Sequence, residues 1–327
     1  MRLVVYGPNE RVGVQQGANV VDLSGTVAKY LLEVKGEGSP IEMAEARVSS
    51  DLARLILGGR RALDEAQAAL EYLSGKAHDQ KDPRGDALVM PASSVHIHAP
   101  RPNGTRIACA GSNFTSHRDR MSARSGRAPR APFIWGFWKV SDPVGPDADV
   151  IYPQRCDRLD YEGELAIILG KGGKDLKPEQ LKESVWGVTL FCDWSIRTRE
   201  QLGPMNFAPG KNFDTSSSLG PCIVVDEADC NNVDIETFVN GQRRQSHNTK
   251  EMTFSFAQYL EYLSRDFTLK PGDMICSGTG EGTAADASPT NADGTQPPDL
   301  FLNVGDKVEI KSPQVGSLRA TIVAKAK

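Results

Sequence analysis

Two runs, Leu165–Leu169 (LAIIL) and Gly187–Cys192 (GVTLFC), carry apolar or small residues at nearly every position. Side chains alternate between the two faces of a strand, so a run without polar alternation enters the core. β signals dominate from about residue 96 onward: RIACAG, DVIYP, CIVV, DMICSG and DKVEIKS, interrupted by helical stretches at about 177–185 and 256–264. Before the second helix, Ser255 and Gln258 stand in capping-box positions, followed by an apolar stripe of Phe256, Leu260 and Leu263. Uneven strands, few helices and many Gly/Pro turns predict a mixed, strongly curved β architecture within the α+β class, not a doubly wound sheet.

Residues 1–95 read as a separate small α+β unit. RLVVYG, RVGVQ and NVVDLS are short strands between turn residues. Two helical stretches follow; in the second, Leu63, Ala66, Leu70 and Leu73 recur at helical spacing and Gly75 ends it. The polar stretch GKAHDQKDPRGDA links this unit to residues 96–327. Residues 283–299 lack periodicity and read as a surface insertion.

The formal net charge of -4 argues against a general nucleic-acid binder. No window approaches the roughly 18 consecutive apolar residues of a membrane span. MRLVVYGPNERVG has no secretory pattern, and the six cysteines lie far apart, which together place the chain in a reducing cytoplasm. His96 and His98 alternate as ordinary strand residues would, with no third ligand near them in sequence.

Chemistry first shows in DYEGEL, just before the first buried run. Glu162 and Glu164 are two residues apart and project to one face of a strand. Alone, such a pair fits a solvated strand end better than a metal site. The second buried run, however, stops abruptly in Asp193. If the two strands are neighbours, three carboxylates meet, and an all-oxygen set suits Mg²⁺, Mn²⁺ or Ca²⁺. Further on, Lys211 lies in a Gly/Ser-rich stretch before a strand. Ser277-Gly278-Thr279-Gly280 directly follows another strand, where backbone N–H groups can meet an anion, although such a G-x-G is commonly just a turn.

In combination these stretches resemble the fumarylacetoacetate hydrolase family. DYEGELAIILG, CDWSIR, GKNFDT…LGP, NGQ…Q…NT…M, LKPGDMI…SGTG and VGDKVEI follow in one order from about residue 104 to the C-terminus. The resemblance implies a β-roll-like catalytic domain with a small N-terminal domain, a homodimer, and a divalent cation, Mg²⁺ with Mn²⁺ or Ca²⁺ as alternatives. Its metal ligands would be Glu162, Glu164 and Asp193. His117 would activate water and Lys211 would polarise a substrate carbonyl, with Asn113, Arg197, Thr279 and Arg120 binding substrate. The activity implied is hydrolysis of a carbon–carbon bond in a carboxylated β-diketone such as an acylpyruvate, within catabolism of aromatic compounds or sugar acids. Decarboxylation or isomerisation of a 2-oxo diacid, or metal binding without turnover, are the alternatives.

Two departures from the family pattern stand out. The acid that commonly follows the histidine by three positions is replaced by Arg120, which leaves Asp119 or Glu281 as candidates to orient His117. Arg118, Arg120, Arg124, Arg127 and Arg130 form a basic segment, read either as a solvated run or as a loop that closes over an anionic substrate. The family's G-T-P also reads Gly278-Thr279-Gly280, which is expected to loosen that turn.

Overall fold

The structure, a computed structural model, describes residues 1–76, 80–124, 131–197, 207–289, 291, 297 and 300–325. The chain opens with an antiparallel ribbon of β1 (Arg2–Tyr6), β2 (Arg11–Gln16) and β3 (Asn19–Asp22). Asp22 caps α1 (Leu23–Lys35), its carboxylate accepting the Gly25 amide at 2.7 Å. α2 (Pro40–Arg47) and α3 (Leu52–Ser74) follow, and α3 buries Leu63, Ala66, Leu70 and Leu73, the stripe expected from the sequence. β4 (Val89–Pro91) and β5 (Ile97–His98) return to the ribbon, where His98 Nε2 lies 2.8 Å from the Gly7 carbonyl.

The remaining elements are β6 (Ile107–Ala110), α4 (Thr115–Arg124), β7 (Gly136–Lys139), β8 (Ala148–Ile151), β9 (Leu159–Asp160) and β10 (Gly163–Leu169). Next come α5 (Leu181–Ser184), β11 (Val185–Asp193), β12 (Ser195–Ile196), α6 (Phe207–Lys211), β13 (Ser217–Val224), β14 (Asp234–Val239) and β15 (Gln242–Asn248). Last are α7 (Phe256–Ser264), β16 (Met274–Cys276), α8 (Ala284–Ala287), β17 (Lys307–Ser312) and β18 (Gly316–Val323). The Ser255–Gln258 capping box of α7 is formed as the sequence predicts. No helix among the described residues is long and apolar enough to cross a membrane.

One sheet runs β4-β3-β2-β1-β13-β11-β10-β16-β6-β7, with β5 also on β1; a second runs β15-β14-β17-β18-β8. β1 pairs antiparallel with β13, Leu3 opposite Ile223, so the larger sheet is continuous across residue 95. The stretch β13 to β7 curls on itself. Val144, just past β7, bridges to Ser218 of β13, and Lys139 of β7 reaches the Ser216 carbonyl at 2.9 Å. The curl gives LAIIL its composition: Leu165, Ile167 and Leu169 pack into the core shared with the second sheet and α7. Ala166 and Ile168 point the other way, into the core shared with α1 and α3. Burial of each large side chain of this kind contributes roughly 1.5–3 kcal/mol.

Two expectations change. The basic segment is helical over its first part, where α4 carries Arg118 and Arg120; Arg127 and Arg130 lie outside the described residues. Residues 283–299 are not all surface insertion, since Thr283 caps α8 and Ala284 and Ala285 are buried.

Candidate active site

The site sits where β10 and β11 begin and end. Glu164 stands opposite Phe191 and Gly163 opposite Cys192, and the Asp193 amide donates to the Glu162 carbonyl at 3.0 Å. That register puts Glu162, Glu164 and Asp193 at one end and on one face, with carboxylate oxygens within 4.8 Å of one another. All three are buried, at 7%, 1% and 0% exposure. Three charges this close are tolerated only when cations or protons compensate them.

The compensation comes from three side chains. Lys211, at the end of α6, donates to Glu162 Oε2 and Asp193 Oδ2 at 2.7 Å each and to Ser195 Oγ at 2.6 Å. Lys139, wholly buried on β7, donates to Asp193 Oδ1 at 2.6 Å. Arg197 bonds Glu162 and, through Nε, Asp160 Oδ2 at 2.9 Å. Burial pushes the Glu162 carboxyl up, but Lys211, Arg197 and His117 outweigh it and hold the group below the usual range. Burial acts on Glu164 too, and there Asp193 and Glu162 add to it, so this carboxyl is pushed well above its ordinary value. Glu164 accepts the Gly278 amide at 3.0 Å and has no ion pair among the described residues. Gly278 presents that N–H from φ +75°, a conformation that favours glycine.

Beside the acids, His117 of α4 places Nδ1 2.8 Å from Asp286 Oδ2, both residues being more than nine-tenths buried. The acid that orients His117 is therefore Asp286 of α8, not Asp119 or Glu281. Glu281 instead lies 3.2 Å from Arg120 Nε, and Asp119 lies against Arg118 at 3.5 Å. Both Glu281 and Asp119 are exposed, whereas the α8 backbone turns Asp286 inward. Arg120 lines a cavity of about 410 Å³ with Arg243, Arg244, Glu281 and Asp286.

The family profile described as Fumarylacetoacetate (FAA) hydrolase C-terminal matches residues 106–323. The chain belongs to the fumarylacetoacetate hydrolase family. It is 28% identical to a Xenopus laevis protein named Oxaloacetate tautomerase fahd2, mitochondrial, over 99% of this chain and 90% of that one. It is 33% identical to the Bacillus subtilis (strain 168) protein named Oxaloacetate tautomerase YisK, over 69% and 72% of the two chains. The fumarylacetoacetate hydrolase of Exiguobacterium antarcticum superposes with a TM-score of 0.71 at 25% identity, covering 99% of this chain and all of that one. A Sphingobium sp. SYK-6 maleylpyruvate hydrolase, in complex with manganese (II) ion and pyruvate, shares the fold, with a TM-score of 0.69 at 24% identity over 100% of both chains.

In this family member, Lys211, Arg197, Thr279 and Asn113 all bond within or beside the carboxylate end of β10, and Arg120 lines the adjoining cavity, but their bonding differs. The Asn113 amide is spent on backbone: it donates to the Phe254 and Ser277 carbonyls at 2.9 and 3.0 Å and accepts the Phe254 amide. The Thr279 hydroxyl donates to the Gly163 carbonyl at 2.9 Å and accepts from Gln245 at 2.8 Å. Sequence reasoning did not find Lys139, Asp160, Asp286 or His247. His247 lies edge-on to Phe114 at 5.0 Å, and a Cβ at residue 280 would come within 2.6 Å of its ring. At 280, where the family pattern has proline, the buried imidazole leaves no space for a Cβ. Burial, with His117 adding to it, pushes the His247 pKa down to about 4.

Proposed function

We propose that the chain is a divalent-cation-dependent enzyme that interconverts the keto and enol forms of a small 2-oxo diacid of the oxaloacetate kind. The observation that carries the reading is the pairing of two half-sites in one place. One is a buried trio of carboxylates whose third member, Glu164, makes no ion pair among the described residues; the other is a buried His117–Asp286 pair. The relatives named oxaloacetate tautomerase support the choice of reaction.

An all-carboxylate donor set fits a hard divalent cation, Mg²⁺ or Mn²⁺, with Ca²⁺ also accommodated. Such an ion would be held by Glu162, Glu164 and Asp193, and when bound it anchors a 2-oxo acid and stabilises negative charge on the enolate oxygen. The protein supplies the proton chemistry. With Nδ1–H donated to Asp286, His117 keeps the Nε2 lone pair free to take a proton from the substrate carbon and return it to oxygen. Lys211 fixes Glu162 and Asp193, and Arg197 fixes Glu162 against Asp160. We assign Asn113 and Thr279 to holding the loops after β6 and β16 in place. Arg120, on the rim, meets the far carboxylate of the diacid.

A second reading is carbon–carbon hydrolysis of an acylpyruvate, and one observation favours it: Asp286 restores the oriented histidine that activating water requires. Both are tested on the same protein loaded with Mg²⁺. The enol absorbance of oxaloacetate should decay faster with enzyme than without, and His117→Asn should abolish the acceleration. Cleavage of acylpyruvates with no effect on the enol would replace the first reading by the second. Bound cation with turnover on neither substrate would overturn both in favour of a binding protein.

A further inference from the structure

Behind the carboxylate trio, inside the curl of the sheet, lies a second group of metal-ligating atoms. Cys276 of β16 and Cys109 of β6 stand directly opposite each other in a parallel pair, and Cys276 faces Ala166 of β10. Glu164 is two residues further along β10, on the same face as Ala166. The two sulfurs and a Glu164 oxygen lie within 4.8 Å of one another. All three residues are at most 1% exposed. Burial pushes the pKa of both thiols up.

We propose that Cys109, Cys276 and Glu164 bind a thiophilic divalent cation such as Zn²⁺ or Cd²⁺, at a site that shares Glu164 with the carboxylate trio. A tetrahedral ion with sulfur at about 2.3 Å and oxygen at about 2.0 Å separates its ligands by roughly 3.5–3.8 Å, within the 4.8 Å limit found here. Binding releases both thiol protons to solvent, and two thiolates with the Glu164 carboxylate then face the dication. Soft sulfur sets the preference: Mg²⁺ and Mn²⁺ favour the oxygens of the trio, Zn²⁺ and Cd²⁺ the sulfurs. Because Glu164 serves both, a soft ion draws it away from the hard one, which makes the thiol pair an inhibitory site. The competition rests on the trio being a metal site; the thiolate coordination does not.

The test uses the full chain stripped by chelator and titrated with Cd²⁺. The expected result is one Cd²⁺ per chain with a sulfur-to-cadmium charge-transfer band, lost in C109S/C276S. X-ray absorption of the wild-type Cd²⁺ form should show two sulfurs in the coordination shell, which decides the matter even if the double variant fails to fold. A shell of oxygens alone, or one with a single sulfur as an isolated surface thiol would give, overturns the site. Mn²⁺ spin resonance on the same samples separates the two claims. Mn²⁺ bound by wild type and released by Cd²⁺ supports the sharing of Glu164, and Mn²⁺ bound alongside Cd²⁺ overturns it. Absence of Mn²⁺ binding with the cadmium–sulfur band intact removes the trio reading and the competition, and leaves the thiol site standing.

Discussion

His117 is defined by its partner, and the partner lies 169 residues away in sequence. Replacing Asp286 by Asn keeps a hydrogen bond but no longer stabilises the imidazolium, so turnover should fall by roughly 10²–10⁴. Glu281→Gln should leave turnover within a few-fold, because Glu281 bonds Arg120 at the rim. Steady-state rates on the two variants check this, and equal losses would move the orienting role off α8. His247 gives a pH prediction. Its ordinary value of 6.5 falls to about 4 in the fold, so between those limits the unfolded chain binds the extra proton and stability rises with pH. On acidification to about pH 4.5 the wild type should lose about 2 kcal/mol more than His247→Gln, read from melting curves. The carboxylates were legible because acids interrupt apolar runs. Asp286 was hidden by a tract without periodicity, yet Thr283-Ala284-Ala285-Asp286 is a T-x-x-D cap, a local signal that could have marked a short helix there. His247 had no such signal, since only the packing of residue 280 against it reveals a buried ring.

Lys139 is where one residue expresses the geometry of an element. β7 and β11 are four places apart in the sheet order, and only the curl lets an ammonium on one meet a carboxylate on the other. Lys139 thus closes the roll and neutralises Asp193 from the side opposite Lys211. Lys139→Met leaves Asp193 with one cation instead of two, and loss of a fully buried partner costs about 3–5 kcal/mol. The metal-free variant should therefore melt well below wild type, and saturating Mg²⁺ should recover more stability in the variant than in the wild type, because a bound dication supplies the missing charge. Equal Mg²⁺ shifts in both proteins would sever Lys139 from the site. Strands and helices with regular patterns, such as α3, α7 and β10, were legible because burial writes a period of 3.6 or none at all. Lys139 was not, because within GFWK it reads as the polar member of an alternating edge strand. Its inward direction depends on non-local curvature, which no local pattern encodes.

At the scale of the whole molecule, the same inward and outward alternation of β7 leaves a surface to explain. Phe137 and Lys139 point into the roll, where the Lys211 ammonium lies 5.3 Å from the Phe137 ring centre. Trp138 and Val140 therefore point out. Trp138 packs on Phe267 at 5.6 Å, and Val140 and Phe267 are 82% and 40% exposed. β7 is also the end strand in the order of the larger sheet, so among the described residues this apolar strip runs along a strand with one named strand partner. A second copy related by a two-fold axis would bury the strip against itself, which is the commonest form of closed assembly. The strip lies on the outside of the strand whose inner face holds Lys139, so an interface there would stiffen the wall of the site. Light scattering should accordingly give twice the chain mass for the wild type. Val140→Glu, which places a charge at the centre of the strip without touching the core, should shift the protein toward monomer and lower turnover. A monomeric wild type, or a variant that remains dimeric, would place the subunit contact elsewhere and leave the β7 strip as plain surface.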